Sequence, residues 1–175
     1  MFSFNKTKPS DEFLSKIFEH QGIIHKVCNL YADSAEDRKD LFQDMLLQLW
    51  RAYATFQQNS KWSTWMYSVC LNTALNTLRK NKKSKSFFSL DFLQHEPEAH
   101  PYEPFEVDEQ MTRLHTAIAT LSEIEKAIIL LYLEEKSYEE IASIVGITIS
   151  HVGVKISRIK TKLELKLKSN HTNII

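Results

Sequence analysis

The residues best equipped for chemistry lie near the C-terminus, where cationic side chains recur at helical spacing. Residues 146–168 contain six basic side chains and one acidic side chain, Glu164. The basic residues are Lys155, Arg158, Lys160, Lys162, Lys166 and Lys168. A surface this rich in cations attracts phosphate groups, whose charge dominates the binding of nucleic acids. The segment therefore predicts contact with a nucleic-acid backbone.

Two helices and a turn must position these cations. Residues 138–145 predict a short helix, and Gly146 ends it in a left-handed turn. Thr148 or Ser150 can cap a second, longer helix. Along that helix, an apolar stripe marks the face that we expect to be buried. It consists of Val152, Ile156, Ile159 and Leu163. This arrangement is typical of a helix-turn-helix that reads duplex DNA, and a plain surface hairpin of helices is the alternative.

A second group of side chains surrounds a polar loop near residue 58. Aromatic rings stack on exposed bases, amides read base edges and cations hold phosphates. The loop and the predicted helix after it, residues 62–81, offer all three types, at Asn59, Lys61, Trp62, Asn72, Asn76 and Arg79. We therefore predict that this helix binds single-stranded or unpaired nucleic acid. For Trp65 and Tyr67, which lie among these residues, packing in the core is the preferred interpretation.

A third polar group lies on the preceding predicted helix, opposite a stripe of Leu, Met and Trp. It consists of Asp40, Gln43, Asp44, Gln48 and Arg51. Taken alone, a mixed polar face of this kind indicates nothing more than a solvated surface.

The pattern of the whole chain predicts an all-α protein with two small helical domains. Only three glycines and four prolines in 175 residues argue against a β-rich fold. Three of the prolines and most of the acidic excess fall within residues 91–110, which predicts an extended linker. We expect a helical domain over residues 10–85, an acidic flexible linker over 86–110 and a helix-turn-helix domain over 111–170. The net charge of zero conceals this division into basic and acidic segments.

Other classes of protein are not favoured. The sequence contains no phosphate-cradling glycine loop, so we expect no enzyme, no catalytic residue, no cofactor and no small-molecule substrate. Cys28 and Cys70 lie in apolar helical settings, which favours core packing in a reducing cytosol over a disulfide. His25 and Cys28 have the spacing of metal ligands, but no second pair completes a site, so no metal is expected. The sequence offers no signal peptide and no apolar run of about 18 residues, so we expect a cytoplasmic protein.

Three ordered motifs together resemble the extracytoplasmic-function (ECF) sigma factors of bacterial RNA polymerase. The first motif reads DLFQDMLLQLWR over residues 40–51, and the second reads WMYSVCLNTALNTLRKNKK over residues 65–83. The third reads YEEIASIVGITISHV over residues 138–152 and continues as KISRIKTKL. Each motif alone is loose, but the ordered set with its linker is specific. Members of this family have two helical domains, called regions 2 and 4.

The resemblance implies roles for each group of residues. The face of Asp40, Gln43, Asp44, Gln48 and Arg51 is similar to the surface that binds the clamp helices of the polymerase β-prime subunit. Asn59, Lys61 and Trp62 resemble the loop that captures a flipped base of the −10 element, with Asn72, Asn76 and Arg79 facing the same DNA. The region 4 helix, here with Thr148, Ser150, His151, Lys155, Arg158 and Lys162, reads the −35 element in the major groove. The implied partners are core RNA polymerase, including the flap of its β subunit, and promoter DNA.

The chain also departs from the family pattern. Gly153 stands where the family usually has a basic residue, which removes one DNA contact, and His151 is less usual there. Family members are often held inactive by an anti-sigma factor, but nothing in the sequence identifies one. Two alternatives stay open: a helix-turn-helix repressor that needs no polymerase, and a degenerate sigma-like decoy that binds protein without starting transcription. The repressor interpretation does not explain the acidic linker or the aromatic and amide residues of the predicted helix over residues 62–81.

Overall fold

The computed structural model describes residues 10–88 and 109–169, and within those ranges all regular structure is α-helical. The all-α fold class is therefore confirmed. In chain order the helices are α1 (Asp11–Tyr31), α2 (Ala35–Tyr53), α3 (Trp62–Phe88), α4 (Glu109–Ala119), α5 (Glu123–Leu133), α6 (Tyr138–Val145) and α7 (Ile149–Ser169).

Serine side chains set the beginnings of several helices. Ser34 accepts a hydrogen bond from the backbone N–H of Asp37 at 2.9 Å, so Ser34 is the residue that caps α2. Ser122 and Ser137 each form a capping box with the glutamate three residues later. Such boxes satisfy two backbone N–H groups that a helix start leaves without partners. The starts of α5 and α6 are thereby fixed, and with them the approach to α7.

The chain divides into two units between Arg79 and Lys80. In the first unit α1 packs against α2, and the side chains buried there come from α1, α2 and the first half of α3. Cys28 and Cys70 are both buried free thiols in this core. Burial raises the pKa of Cys28 to about 11 and that of Cys70 to about 12, so both stay protonated near neutral pH. This agrees with the interpretation of both cysteines as core residues.

The second unit is built around α7, which packs against α4, α5 and α6. The predicted stripe of Val152, Ile156, Ile159 and Leu163 is buried, as expected. Gly146 adopts a left-handed conformation with φ 75°, and its N–H donates to the carbonyl of Ala142 at 2.9 Å. Thr148 Oγ1 then accepts from the N–H of His151 at 3.4 Å, so Thr148 rather than Ser150 caps α7. The helix-turn-helix geometry predicted from the sequence is confirmed.

Some helix boundaries differ from those predicted. Helix α3 continues to Phe88 rather than ending near Asn81, because residues 82–88 contain no glycine or proline to stop it. Helix α4 begins at Glu109, so helices extend into both edges of the segment predicted as a linker. Residues 89–108 lie outside the described residues, and the acidic linker there stays a prediction. Helix α5 ends at Leu133, shortly before Glu135 adopts a positive φ of 55°.

Helix α7 is tied to the start of α5 by an ion pair. Lys162 Nζ lies 2.5 Å from Glu125 Oε1, while Glu125 Oε2 accepts the backbone N–H of Ser122 at 3.0 Å. The ammonium of Lys162 is the main cause that lowers the pKa of Glu125, and the hydrogen bonds from Ser122 add to it. The carboxylate of Glu125 therefore caps α5 and also binds α7 through Lys162.

Among the described helices, none is long and apolar enough by itself to cross a membrane. Of these helices, only α6 and α7 taken together have the length and apolar composition of a membrane span, and that pair is bent by 96°.

Replacing Gly146 and Gly153 by alanine should change the free energy of unfolding in opposite directions. Gly146→Ala places a Cβ at φ 75° and should lower the free energy of unfolding by about 1 kcal/mol. Gly153→Ala should raise it by up to about 1 kcal/mol, because alanine favours a helix interior. The nearest atom to the added Cβ at Gly153 would be Tyr138 Cε2 at 3.5 Å, an ordinary contact. Urea unfolding followed by circular dichroism measures both changes.

The tryptophans provide a control for that experiment. Trp50, Trp62 and Trp65 all lie in the first unit, so their fluorescence follows that unit separately. Shifts of the same sign for Gly146→Ala and Gly153→Ala would contradict the helix-turn-helix geometry.

Glu125→Gln should destabilise the second unit by up to about 1 kcal/mol at neutral pH, since Lys162 is largely exposed. The folded-state pKa of Glu125 is lowered, so this stabilisation is present above the unfolded-state value of about 4.3 and is lost as pH falls through the folded-state pKa. Wild-type protein and variant should therefore converge in stability only once the pH has fallen below the lowered folded-state pKa of Glu125. Thermal unfolding across this pH range tests the expectation.

Glu164→Gln is the matched control, because Glu164 pairs with Lys168 at 2.6 Å within α7 and both side chains are exposed. An equal loss of stability for the two variants would show that the ion pair between α5 and α7 stabilises the unit no more than an exposed pair within one helix.

Candidate nucleic-acid and partner interfaces

The buried stripe of α7 determines which of its side chains face solvent. Successive residues of an α-helix are about 100° apart, so residues offset by half a turn from the stripe point outward. The row opposite the stripe is made of Ser150, Val154, Ser157 and Thr161, and all four are exposed. None of these four side chains carries a charge.

The cationic residues predicted to contact DNA form a second row, on one flank of the outward face. His151, Lys155, Arg158 and Lys162 are spaced four, three and four residues apart, which aligns them along the helix. His151 and Arg158 are exposed, and Lys155 is half-buried. Lys162 is held by Glu125, so a DNA phosphate would have to compete with that carboxylate. The predicted residues are therefore grouped, but they occupy the edge of the face rather than its centre.

The remaining residues predicted on this surface are close to the start of α7. Thr148 is exposed, and its hydroxyl oxygen is used as the helix cap. Ser150 lies on the outward row. The sequence interpretation missed Val154 and Ser157, although their half-turn offset from the apolar stripe would have identified them.

An aromatic corner lies at the start of α3, formed by Tyr53, Phe56, Trp62 and Trp65. The ring centroids of Trp62 and Trp65 are 4.7 Å apart, and Phe56 lies 5.3 Å and 4.8 Å from them. Lys16 of α1 places its ammonium 5.2 Å from the Trp62 ring centroid, a distance typical of a cation–π contact. Sequence reasoning missed Lys16 and Phe56, since Lys16 is distant in sequence and only the fold brings it to the corner.

The packed rings leave a polar atom within the corner. In the described part of the chain, the indole Nε1 of Trp62 is buried and has no hydrogen-bond partner. A buried donor without a partner costs free energy that a bound acceptor can recover. The loop before α3 includes Gln58, whose φ of 57° marks a sharp turn in the backbone. Asn59 and Lys61 on this loop are exposed, as the sequence predicted.

The outward face of α3 continues from the aromatic corner as one stripe. Trp62, Trp65, Val69, Asn72, Asn76 and Arg79 follow at alternating spacings of three and four residues, opposite the buried Tyr67 and Leu71. Asn72, Asn76 and Arg79 are exposed, and Arg79 Nη1 donates to Asn76 Oδ1 at 3.4 Å. The stripe spans about 25 Å, at a rise of about 1.5 Å per residue. The buried state of Tyr67 agrees with the core interpretation, whereas Trp65 is only half-buried.

The third candidate surface is the polar face of α2. Asp40, Gln43, Asp44 and Arg51 are exposed and Gln48 is half-buried. Leu47 lies in the middle of this face and is 37% exposed. The sequence reasoning assigned Leu47 to neither face of the helix. An apolar side chain ringed by polar ones is the usual arrangement at the centre of a protein–protein interface.

Metal coordination has no support in the described ranges. Within residues 10–88 and 109–169, no three or more His, Cys, Asp or Glu side chains are grouped so that they could hold a metal ion.

Two family models match the chain. The model of sigma-70 region 2 matches residues 17–84, and the model of sigma-70 region 4 matches residues 111–163. The two matches fall on α1–α3 and α4–α7 respectively, and together they cover more than half of the 175 residues. They therefore include all three candidate surfaces.

Curated relatives agree with these matches. The RNA polymerase sigma-H factor of Pseudomonas aeruginosa is 27% identical over 158 residues, which is 82% of this chain and 81% of the relative. The RNA polymerase sigma factor SigV of Bacillus subtilis is 25% identical over 154 residues, covering 86% of this chain and 88% of the relative.

Solved structures share the fold. The sigma factor RpoE of Bartonella quintana, solved in complex with the anti-sigma factor NepR, superposes with a TM-score of 0.75 at 23% identity, covering 91% of this chain and 98% of that one. CnrH, solved in complex with the cytosolic domain of CnrY, superposes with a TM-score of 0.63 at 17% identity.

Proposed function

The chain belongs to the sigma-70 family, in its extracytoplasmic-function group, and from this premise we propose how its three exposed surfaces divide the work of starting transcription. As a sigma factor it binds core RNA polymerase and directs it to promoter DNA. The observation that carries the proposal is that each unit presents a separate outward stripe equipped for a nucleic acid. Sigma factors act without catalysis of their own, so these surfaces work by binding.

We assign the reading of the −35 element to α7. The outward row of α7 enters the major groove, as the second helix of a helix-turn-helix does, while His151, Lys155 and Arg158 contact phosphates along one strand. The hydrogen bond to the Thr148 hydroxyl holds the N-terminus of α7 in place. That terminus attracts phosphate through its free N–H groups.

We assign the melted −10 element to the stripe on α3. An extruded base stacks beside the aromatic corner, where Trp62 and the loop residues Asn59 and Lys61 receive it. Asn72, Asn76 and Arg79 continue along the strand that leaves the corner. Because only melted DNA offers an unpaired base, this contact favours the open state over the duplex.

We assign polymerase binding to the polar face of α2, with Asp40, Gln43, Asp44, Gln48 and Arg51 around Leu47. The carboxylates attract a basic partner and set its orientation, and the leucine provides the apolar contact at the centre. The clamp helices of the β-prime subunit are the partner that this surface fits in our proposal. The flap of the β subunit contacts the second unit, and an anti-sigma factor competes for the same surfaces. The site of action is the cytoplasm, where the polymerase works.

The two alternative functions have less support. A polymerase-independent repressor would bind DNA through α7 alone, and this function does not explain the polar and aromatic stripe on α3. A decoy is suggested by Gly153, but Gly153 lies beside the outward row rather than on it, and that row stays intact. The matches to both sigma regions favour a functional sigma factor over either alternative.

The test of the proposed function is run-off transcription on genomic DNA of the organism that carries the gene, with purified core polymerase and the full chain. Transcripts that start at defined positions only when the chain is present support the function. A repressor or a decoy would yield no such transcripts.

Asp44→Arg should abolish binding to core polymerase while leaving the fold intact, because Asp44 is exposed and its reversal repels a basic partner. A loss of at least ten-fold in affinity is expected, measured by fluorescence anisotropy of labelled chain with core polymerase. Glu19→Arg, a reversal at an exposed site on α1, is the control and should bind as wild type. Unchanged binding by the Asp44 variant would remove α2 from the proposed interface.

A further inference from the structure

The outward row of α7 separates the reading of bases from the binding of phosphates. Its four members, Ser150, Val154, Ser157 and Thr161, are neutral, and the cations lie one position further around the helix. A helix that enters the major groove presents its outermost row to the base edges and its flanks to the two backbones. The neutral row therefore meets the bases, and the row of His151, Lys155 and Arg158 meets one strand of phosphates.

Val154 is the one apolar member of this outward row. It is 48% exposed, and the buried stripe lies on the opposite side of the helix. Thymine carries the C5-methyl group, which is the apolar group that a base edge presents in the major groove. Contact between the valine and this methyl buries apolar area on both sides.

The neighbours of Val154 allow the helix to come close to the bases. Ser150 and Ser157 lie one turn before and one turn after Val154, and their short hydroxyls can donate to or accept from adjacent base edges. A row of short side chains around one valine is suited to close approach.

From this arrangement we infer that Val154 is a specificity-determining residue that recognises the methyl group of a thymine in the upstream promoter element. The inference rests on the proposed function of α7. Arg158 and Lys155 then supply affinity without sequence preference, and Val154 supplies preference at one position.

The experiment removes single methyl groups from the DNA. Upstream elements are first selected from random duplexes with the holoenzyme, made from the full chain and core polymerase. Each thymine of the selected element is then replaced, one at a time, by deoxyuridine, which pairs identically but lacks the methyl. At one thymine, the wild-type holoenzyme should bind about three- to four-fold more weakly, the loss expected for one buried methyl group.

Val154→Ala should bind the thymine and deoxyuridine duplexes equally at that position. The variant should fold, because Val154 is exposed and alanine is the better helix former. Circular dichroism verifies this. Arg158→Ala should weaken binding to both duplexes by the same factor and reduce the salt dependence, as expected for a phosphate contact.

Leu165→Ala is the matched control, since Leu165 is an exposed apolar residue on the same side of α7, about 16 Å further along the helix. This variant should keep the wild-type preference for thymine. The inference is overturned if the selected elements share no thymine, if no methyl removal weakens wild-type binding, or if Val154→Ala keeps the preference. A holoenzyme that transcribes from the selected promoters but ignores methyl groups refutes this inference alone, whereas a chain that fails to start transcripts refutes the proposed function.

Discussion

The burial of one apolar stripe determines what α7 can do. Val152, Ile156, Ile159 and Leu163 are held against the three preceding helices, and this fixes the rotation of α7 about its own axis. A rotation by one residue would replace the neutral outward row with the cationic row. In the proposed complex with DNA, the rotation therefore decides which side chains meet base edges and which meet phosphates. The capping boxes and the bond between Glu125 and Lys162 support the same orientation from the side of α5.

The first unit groups half-buried aromatic rings at the start of α3. Phe56, Trp62 and Trp65 pack on one another, so each ring covers part of its neighbours. Lys16 adds a cation over the Trp62 ring, which keeps one edge of the corner polar. Under the proposed function, this packing holds the rings in place before a base arrives.

The sequence predicted those features that depend on local rules. Helical periodicity located the buried stripe of α7, a left-handed glycine located the end of α6, and a choice between Thr148 and Ser150 located the start of α7. Features that depend on tertiary contact were missed, such as the position of Lys16 over Trp62 and the engagement of Lys162 by Glu125. Residue charge was also a poor guide to the centre of the α7 face. It drew attention to the cationic flank, whereas the geometry places Val154 at the centre.

The outward row of α7 is neutral and the net charge of the chain is zero, and both features reduce its electrostatic attraction to DNA. Phosphate contacts supply most of the affinity of a DNA-binding protein, and each one adds to its salt-sensitive binding everywhere in the genome. On α7, Lys162 is paired with Glu125 and Lys168 with Glu164, so fewer cations than the composition offers are available to phosphates. Under the proposed function, contacts made together with the polymerase therefore supply a larger part of the binding. Joining weak contacts on one assembly raises the total affinity without strengthening any of them. Under the proposed function, a sigma factor built in this way depends on the polymerase it directs for stable binding at a promoter.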